Sequence, residues 1–185
     1  MKKKGIEGKL TKGDLLQFII IALVVLLIRV FLFTPLRVEG ISMAPTLATG
    51  ERLWAVKQSK IERFDIISFK SPVDPTKTYI KRVIGLPGDH VAYKADLLYI
   101  NGEEIPEPYL ENYKSQLDPG QLFTEDYSLE SHLNISDIPQ GYYFVLGDNR
   151  PHSFDSNEFG LISKKAISGE AKFKYWPISD FGKID

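Results

Sequence analysis

The chain has 185 residues, no cysteine, 43% apolar content and a formal net charge of −1. The lack of cysteine excludes disulfides, thiol catalysis and cysteine-ligated metal sites, and the apolar share suits one modest folded domain plus an appendage. Residues 1–33 carry six Lys/Arg against two Asp/Glu, which leaves 17 against 22, or −5, for the rest; a net acidic body argues against nucleic acid as a partner, because phosphate binding needs clustered cations.

From Leu15 to Phe33 the chain is apolar except for Gln17 and Arg29. As a helix this run is about 28 Å long, close to the hydrocarbon thickness of a bilayer. A single transmembrane helix over 15–33 is therefore expected, preceded by a basic tail over 1–14 and followed by a domain over 34–185. Lys2, Lys3, Lys4, Lys9 and Lys12 place the N-terminus in the cytoplasm by the positive-inside rule, and residues 34–185 on the outer side of the cell membrane. Arg29 falls about 21 Å along the helix, where its guanidinium can reach the headgroups. A cleavable secretory signal shares the basic start and apolar run. This run is long for one, however, and Thr34-Pro35-Leu36 follows it without an A-x-A site, so a retained anchor in the lipid bilayer is expected.

After the anchor, short β-branched and aromatic runs alternate with Pro, Gly and Asp, the pattern of a mainly β domain. Strands are expected at Leu53 to Val56, Asp65 to Phe69, Thr78 to Ile84, Val91 to Lys94, Leu97 to Ile100, Tyr142 to Leu146 and Ala171 to Tyr175. A hairpin is expected around Lys94-Ala95-Asp96. Residues 101–140 are polar and aperiodic and read as an insertion or long loop region. No repeat and no second domain of independent size is evident.

Three segments could carry chemistry. In Thr78-Tyr79-Ile80-Lys81-Arg82-Val83-Ile84, strand alternation puts Tyr79, Lys81 and Val83 on one face and Ile80, Arg82 and Ile84 on the other. A lysine between apolar neighbours is a candidate for desolvation, which disfavours the ammonium and lowers its pKa. A lysine snorkelling from a half-exposed strand fits the same text. Gly40-Ile41-Ser42-Met43-Ala44-Pro45-Thr46-Leu47 holds a serine soon after the membrane exit, either an ordinary loop serine or a tethered nucleophile whose proton a neutral amine accepts. Gly147-Asp148-Asn149-Arg150-Pro151-His152-Ser153-Phe154-Asp155-Ser156-Asn157 is either a set of turns or a loop packed beside a site. His90, His132 and His152 lack metal-ligand spacing, and no glycine-rich phosphate loop is present, so neither a metal nor any other cofactor is expected. A Ser-His-Asp arrangement through His152 remains arithmetically open, although the setting beside Pro151 suits an exposed turn.

Taken together and in this order, S-M-x-P-T-L, Y-I-K-R-V-I-G-L-P-G-D and G-D-N-R-x-x-S-x-D-S resemble bacterial type I signal peptidases, from the anchor to the last strand. The resemblance implies a signal-peptidase-type β domain on one N-terminal transmembrane helix. It also implies a serine endopeptidase that removes signal peptides from exported preproteins through a Ser-Lys dyad. Ser42 matches the nucleophile and Lys81 the general base. Ser153 matches the hydroxyl that orients the lysine amine, Arg82 and Asp148 an ion pair beneath the site, and Asp155 a further supporting acid. Leu36, Val38 and Ile80 match residues shaping shallow pockets for small side chains, and the Ser42 N–H matches an oxyanion donor. Two departures stand out: Gly40 occupies a position where some relatives carry serine as a second oxyanion donor, and Asn157 one where many carry arginine. A tethered, non-catalytic binding module on the same fold is the rival from another class, and the retention of both Ser42 and Lys81 disfavours it.

Overall fold

An apolar helix leads directly into two antiparallel sheets. The computed structural model describes residues 11–184; Lys2, Lys3, Lys4, Lys9 and most of the expected basic tail lie outside the described residues. Helix α1 (Lys12–Leu32) has 21 residues, so it is about 31 Å long. Thr11 starts it with a reciprocal capping box, its hydroxyl accepting from the Asp14 N–H while Asp14 accepts from the Thr11 N–H. None of its residues is buried, so its apolar side chains are left exposed and call for an apolar medium. At its end, the Lys57 N–H and ammonium donate to the Leu32 and Val30 carbonyls, which satisfies part of the terminal backbone. The Arg29 guanidinium lies over the Trp54 ring, 5.2 Å from its centroid.

The strands are β1 (Phe33–Arg37), β2 (Arg52–Val56), β3 (Ile66–Lys70), β4 (Thr78–Gly85), β5 (Val91–Lys94), β6 (Leu97–Ile100), β7 (Glu103–Ile105), β8 (Tyr127–Ser128), β9 (Tyr142–Leu146), β10 (Ile162–Ser163), β11 (Ile167–Trp176) and β12 (Gly182–Lys183). The main sheet runs β1-β2-β11-β3-β4-β9-β10, with β12 also on β11; the second runs β7-β6-β5-β8. Short helices α2 (Glu111–Lys114), α3 (Leu129–Leu133) and α4 (Ser156–Phe159) sit in the connections. The mainly β class follows from the sequence as expected, and β5, β6 and β9 have the expected bounds. Strand β11 is longer than its expected core because its bulges, after Ile167, Ala171 and Lys174, let it bend while pairing with both β2 and β3. In the hairpin, Ala95 and Asp96 both have positive φ, 49° and 66°, as a two-residue primed turn requires.

The stretch 101–140 is not bare loop. It supplies β7 and β8 to the edges of the second sheet, and its Leu129 and Ile138 pack with Ile84, Phe144 and Leu146 of the main sheet. The second sheet thus shares one core with the first. The Asp96 carboxylate accepts the N–H groups of Phe123 and Thr124 and faces the Lys114 ammonium at 3.3 Å, which ties this stretch to the hairpin tip.

The two sheets meet at Gly85, where β4 shifts register against β9. A Cβ there would stand 2.3 Å from Ile138 Cδ1 and 2.7 Å from Val91 Cγ2. Gly85→Ala is expected to destabilise the domain by about 1–3 kcal/mol through overpacking; a denaturant melt checks this, and an unchanged midpoint would contradict the close approach.

Candidate active site

The site is built on β4, whose alternation gives two buried cations opposite fates. Lys81 and Arg82 are 3% and 2% exposed. On the Lys81 face, Tyr79 and Val83 join a core with Ile67, Phe69, Val145 and Phe159. On the other face, the Arg82 guanidinium donates to both Asp148 oxygens, at 2.9 and 2.8 Å, and to the Phe64 carbonyl at 2.9 Å. The Tyr109 ring covers it, with Cζ 4.0 Å from the centroid.

Asp148 is wholly buried and also accepts the Thr46 hydroxyl at 2.5 Å. That bond explains the threonine of the Ser42 segment, as burial of Met43 and Leu47 in the core under β1 and β2 explains its apolar positions. Next along the chain, the Asn149 N–H donates to the Ser42 carbonyl at 3.0 Å, and its side-chain amide donates to the Ile41 carbonyl at 3.1 Å. Residues 147–149, carried by the end of β9, therefore clamp the Ser42 segment against the Lys81 strand. Gly147 allows the approach: a Cβ there would stand 2.2 Å from Ser153 Oγ and 2.4 Å from the Ser42 carbonyl oxygen.

Ser42 and Lys81 line one cleft of about 270 Å³, together with Val38, Gly40, Tyr79, Ile80, His152 and Phe154. Ser42 is half-buried. Among the described residues, neither its hydroxyl nor its N–H makes a hydrogen bond, and the Lys81 ammonium has no carboxylate within ion-pair distance. The Ser153 hydroxyl is buried and likewise unpartnered. These polar atoms line the cleft or its wall without being bonded to one another among the described residues. Burial pushes the Lys81 amine down from 10.5 to about 8, against the attraction of Asp155, Glu158 and Asp148, which favours the ammonium.

Asp155 is buried and caps α4. One oxygen accepts the Asn157 N–H at 3.2 Å, the other accepts the Gly147 N–H at 2.9 Å, and the Asp155 N–H donates to Glu158. Burial raises its pKa, and the nearby Ser153 hydroxyl, followed by the Gly147 and Asn157 N–H groups, partly offsets this. Asn157 thus meets Asp155 through its backbone, in place of the ion pair an arginine would offer. Val38 and Ile80 border the Ser42 cleft, whereas Leu36 borders its continuation along β1 with Pro35, Lys70 and Lys77. His152 is exposed, and its ring has no hydrogen bond among the described residues, so no carboxylate orients it as a Ser-His-Asp arrangement requires.

Thr46, Gly147 and Asn149 lay inside the quoted motifs, but their roles needed the fold. Glu107 and Tyr109, from the polar stretch 101–140, reach the underside of the site without any sequence signal.

Comparison with known proteins follows the same lines. The sequence model of the family described as "Signal peptidase, peptidase S26" matches residues 12–176. Signal peptidase I of Bacillus caldolyticus is 44% identical over 179 residues, 95% of this chain and 97% of that protein. Signal peptidase I of Bacillus licheniformis is 42% identical over 191 residues, 100% of this chain and 99% of that protein. The crystal structure of a signal peptidase I from Enterococcus faecalis V583 superposes with a TM-score of 0.58 at 43% identity, covering 60% of this chain and 97% of that one.

Two stability outcomes follow from the paired and unpaired cations. Arg82→Met strands the Asp148 carboxylate and is expected to cost about 3–5 kcal/mol. Lys81 behaves oppositely: its folded pKa lies below its unfolded value, so the folded state binds fewer protons and the lysine opposes folding below about pH 8. Lys81→Met should therefore be stabilising at neutral pH, by up to about 3 kcal/mol, with the advantage fading as pH rises toward 10.5. Denaturant melts of both variants from pH 6 to 10 measure this; a destabilised Lys81→Met would contradict the desolvated amine.

Proposed function

The chain belongs to the signal peptidase family, peptidase S26, and is a serine endopeptidase that removes signal peptides; on that premise we propose that Ser42 is its nucleophile and Lys81 its general base. The observation that supports this most is the buried amine of Lys81, without an ion pair among the described residues, in the cleft that Ser42 lines.

With Lys81 neutral, its Nζ takes the proton as Ser42 Oγ attacks the scissile carbonyl. The oxyanion receives the unoccupied Ser42 N–H, a fixed donor that needs no reorganisation. The Lys81 ammonium then protonates the leaving amine as the C–N bond breaks, which leaves an ester on Ser42. Water, losing a proton to the same amine, attacks the ester carbonyl; as the ester C–O bond breaks the ammonium returns that proton to Ser42 Oγ, and the freed acid ionises to the signal peptide's new carboxylate. Ser153, Asp155, Arg82 and Asp148 are proposed as supporting residues: the last three hold the loops in register, and the Ser153 hydroxyl is proposed to orient the amine.

The substrate is proposed to bind as an added strand. Residues Thr78 to Lys81 of β4 precede the segment that pairs with β9, and β1 pairs with β2 alone among the described strands. These two free edges flank the cleft and suit an extended peptide. Val38, Ile80 and Leu36 border the cleft and its continuation and are proposed to receive small side chains at the first and third positions before the cut. The apolar α1 is proposed to anchor the chain in the cell membrane, N-terminus inside and β domain outside, where exported preproteins present their cleavage sites.

Full-length chain in detergent with a precursor peptide tests the assignment. Ser42→Ala and Lys81→Met should each abolish cleavage while leaving the fold intact, and near-normal turnover by either would refute it. The kcat/KM of the unchanged chain should rise with pH through a midpoint near 8. Replacing Ala by Phe at either of the two positions before the cut should lower kcat/KM by about 100-fold; equal cleavage would contradict the shallow pockets.

A further inference from the structure

Behind the site lies a second buried guanidinium, which the mechanism does not use. Arg150 donates Nε–H to the Gly147 carbonyl at 3.0 Å, and Nη1 to the Tyr93 and Thr124 hydroxyls, each at 3.0 Å. Its Nη2 donates to Glu107 Oε1 at 2.6 Å and to the Tyr109 hydroxyl at 3.3 Å. The ion-paired side chains of Arg150 and Glu107 are 3% and 2% exposed. Glu107 Oε1 also accepts the Tyr93 and Tyr109 hydroxyls, at 2.9 and 2.6 Å. Its Oε2 accepts no hydrogen bond, with the Lys114 ammonium 4.0 Å away.

We infer that Glu107 is a positioning residue for the catalytic cleft, acting through Arg150 to fix the Gly147 carbonyl and through Tyr109 to brace Arg82. The inference rests on the Ser42–Lys81 reading. Its physical basis is that Gly147 has no slack. A Cβ there would stand 2.2 Å from Ser153 Oγ and 2.4 Å from the Ser42 carbonyl oxygen, and its N–H is held by Asp155, so the Arg150 bond completes a three-sided grip. Any movement of the Gly147 peptide is passed to Ser42 and Ser153 together. Tyr109, bonded to Glu107, lies against the guanidinium that holds Asp148. Both buried arginines under the site thus converge on one short segment of the stretch 101–140.

A buried ion pair is weak as a source of stability, because desolvation cancels most of the attraction. This one joins the second sheet to the loop carrying Ser153, so its effect is on geometry. Loosening the grip would shift Ser42 and Ser153 relative to the Lys81 strand and admit water to the buried amine. The amine would then titrate closer to an ordinary lysine, in the unchanged field of Asp155, Glu158 and Asp148.

The experiment is a pH–rate profile of the full-length chain in detergent with the precursor peptide, for the unchanged chain, Glu107→Gln and Tyr109→Phe, with the folded fraction of each read by circular dichroism. Glu107→Gln is expected to lower kcat by about tenfold or more with little change in KM, and to move the midpoint of kcat/KM upward by about half a pH unit or more. Tyr109→Phe keeps the ring over Arg82 and should shift both in the same direction by less; it serves as the test if Glu107→Gln does not fold. Rates that fall only in proportion to the folded fraction, with an unmoved midpoint, overturn the inference. Ser42→Ala runs alongside: activity retained there defeats the site assignment itself, whereas an inactive Ser42→Ala with unaltered Glu107 and Tyr109 variants defeats the positioning inference alone.

Discussion

One strand makes two buried cations chemically different. Adjacent residues of β4 point to opposite faces, so Lys81 and Arg82 share a backbone yet lie in separate environments. Arg82 meets a carboxylate in bidentate geometry, which suits a group that stays charged. Lys81 meets apolar neighbours, and its compact ammonium is the cation that yields a proton under desolvation. Exchanging the two residues would put a permanent charge where the chemistry needs a lone pair.

The rest of the domain keeps this asymmetry in place. Asp148 neutralises the arginine and reaches through Thr46 to the segment bearing Ser42. Asn149, one residue on, holds that segment by its backbone. Asp155 caps α4 and holds the Gly147 N–H from the far side. The Asp148 and Asn149 ties join parts far apart in sequence, so the site forms only once the main sheet has closed. Because the end of α1 runs straight into β1, which borders the cleft, the cleft sits close to the helix exit.

Much of this was readable in the residues. The anchor came from its apolar length and the strands from β-branched runs. The faces of Lys81 and Arg82 came from alternation alone, because a two-residue period needs no tertiary information. The roles proposed for Ser42 and Lys81 rest on the family resemblance, since a loop serine and a strand lysine are individually commonplace. What escaped were elements with no local signal. The strands Tyr127–Ser128 and Glu103–Ile105 are too short to show alternation and exist because edges of a neighbouring sheet await them. Glu107 resembles any solvated glutamate in a polar stretch; only the fold buries it against Arg150. Phe33–Arg37 was hidden by the anchor before it and by Pro35, which an edge strand tolerates.

The central claim is that the Lys81 ammonium is a strong enough acid to be largely deprotonated in mildly alkaline solution. Side-chain NMR of the full-length chain, labelled at lysine and compared with Lys81→Met to assign the resonance, reads that directly. A titration midpoint near 8 is predicted. A resonance that stays that of an ammonium until about pH 10.4, the value of an unperturbed lysine, would contradict the account.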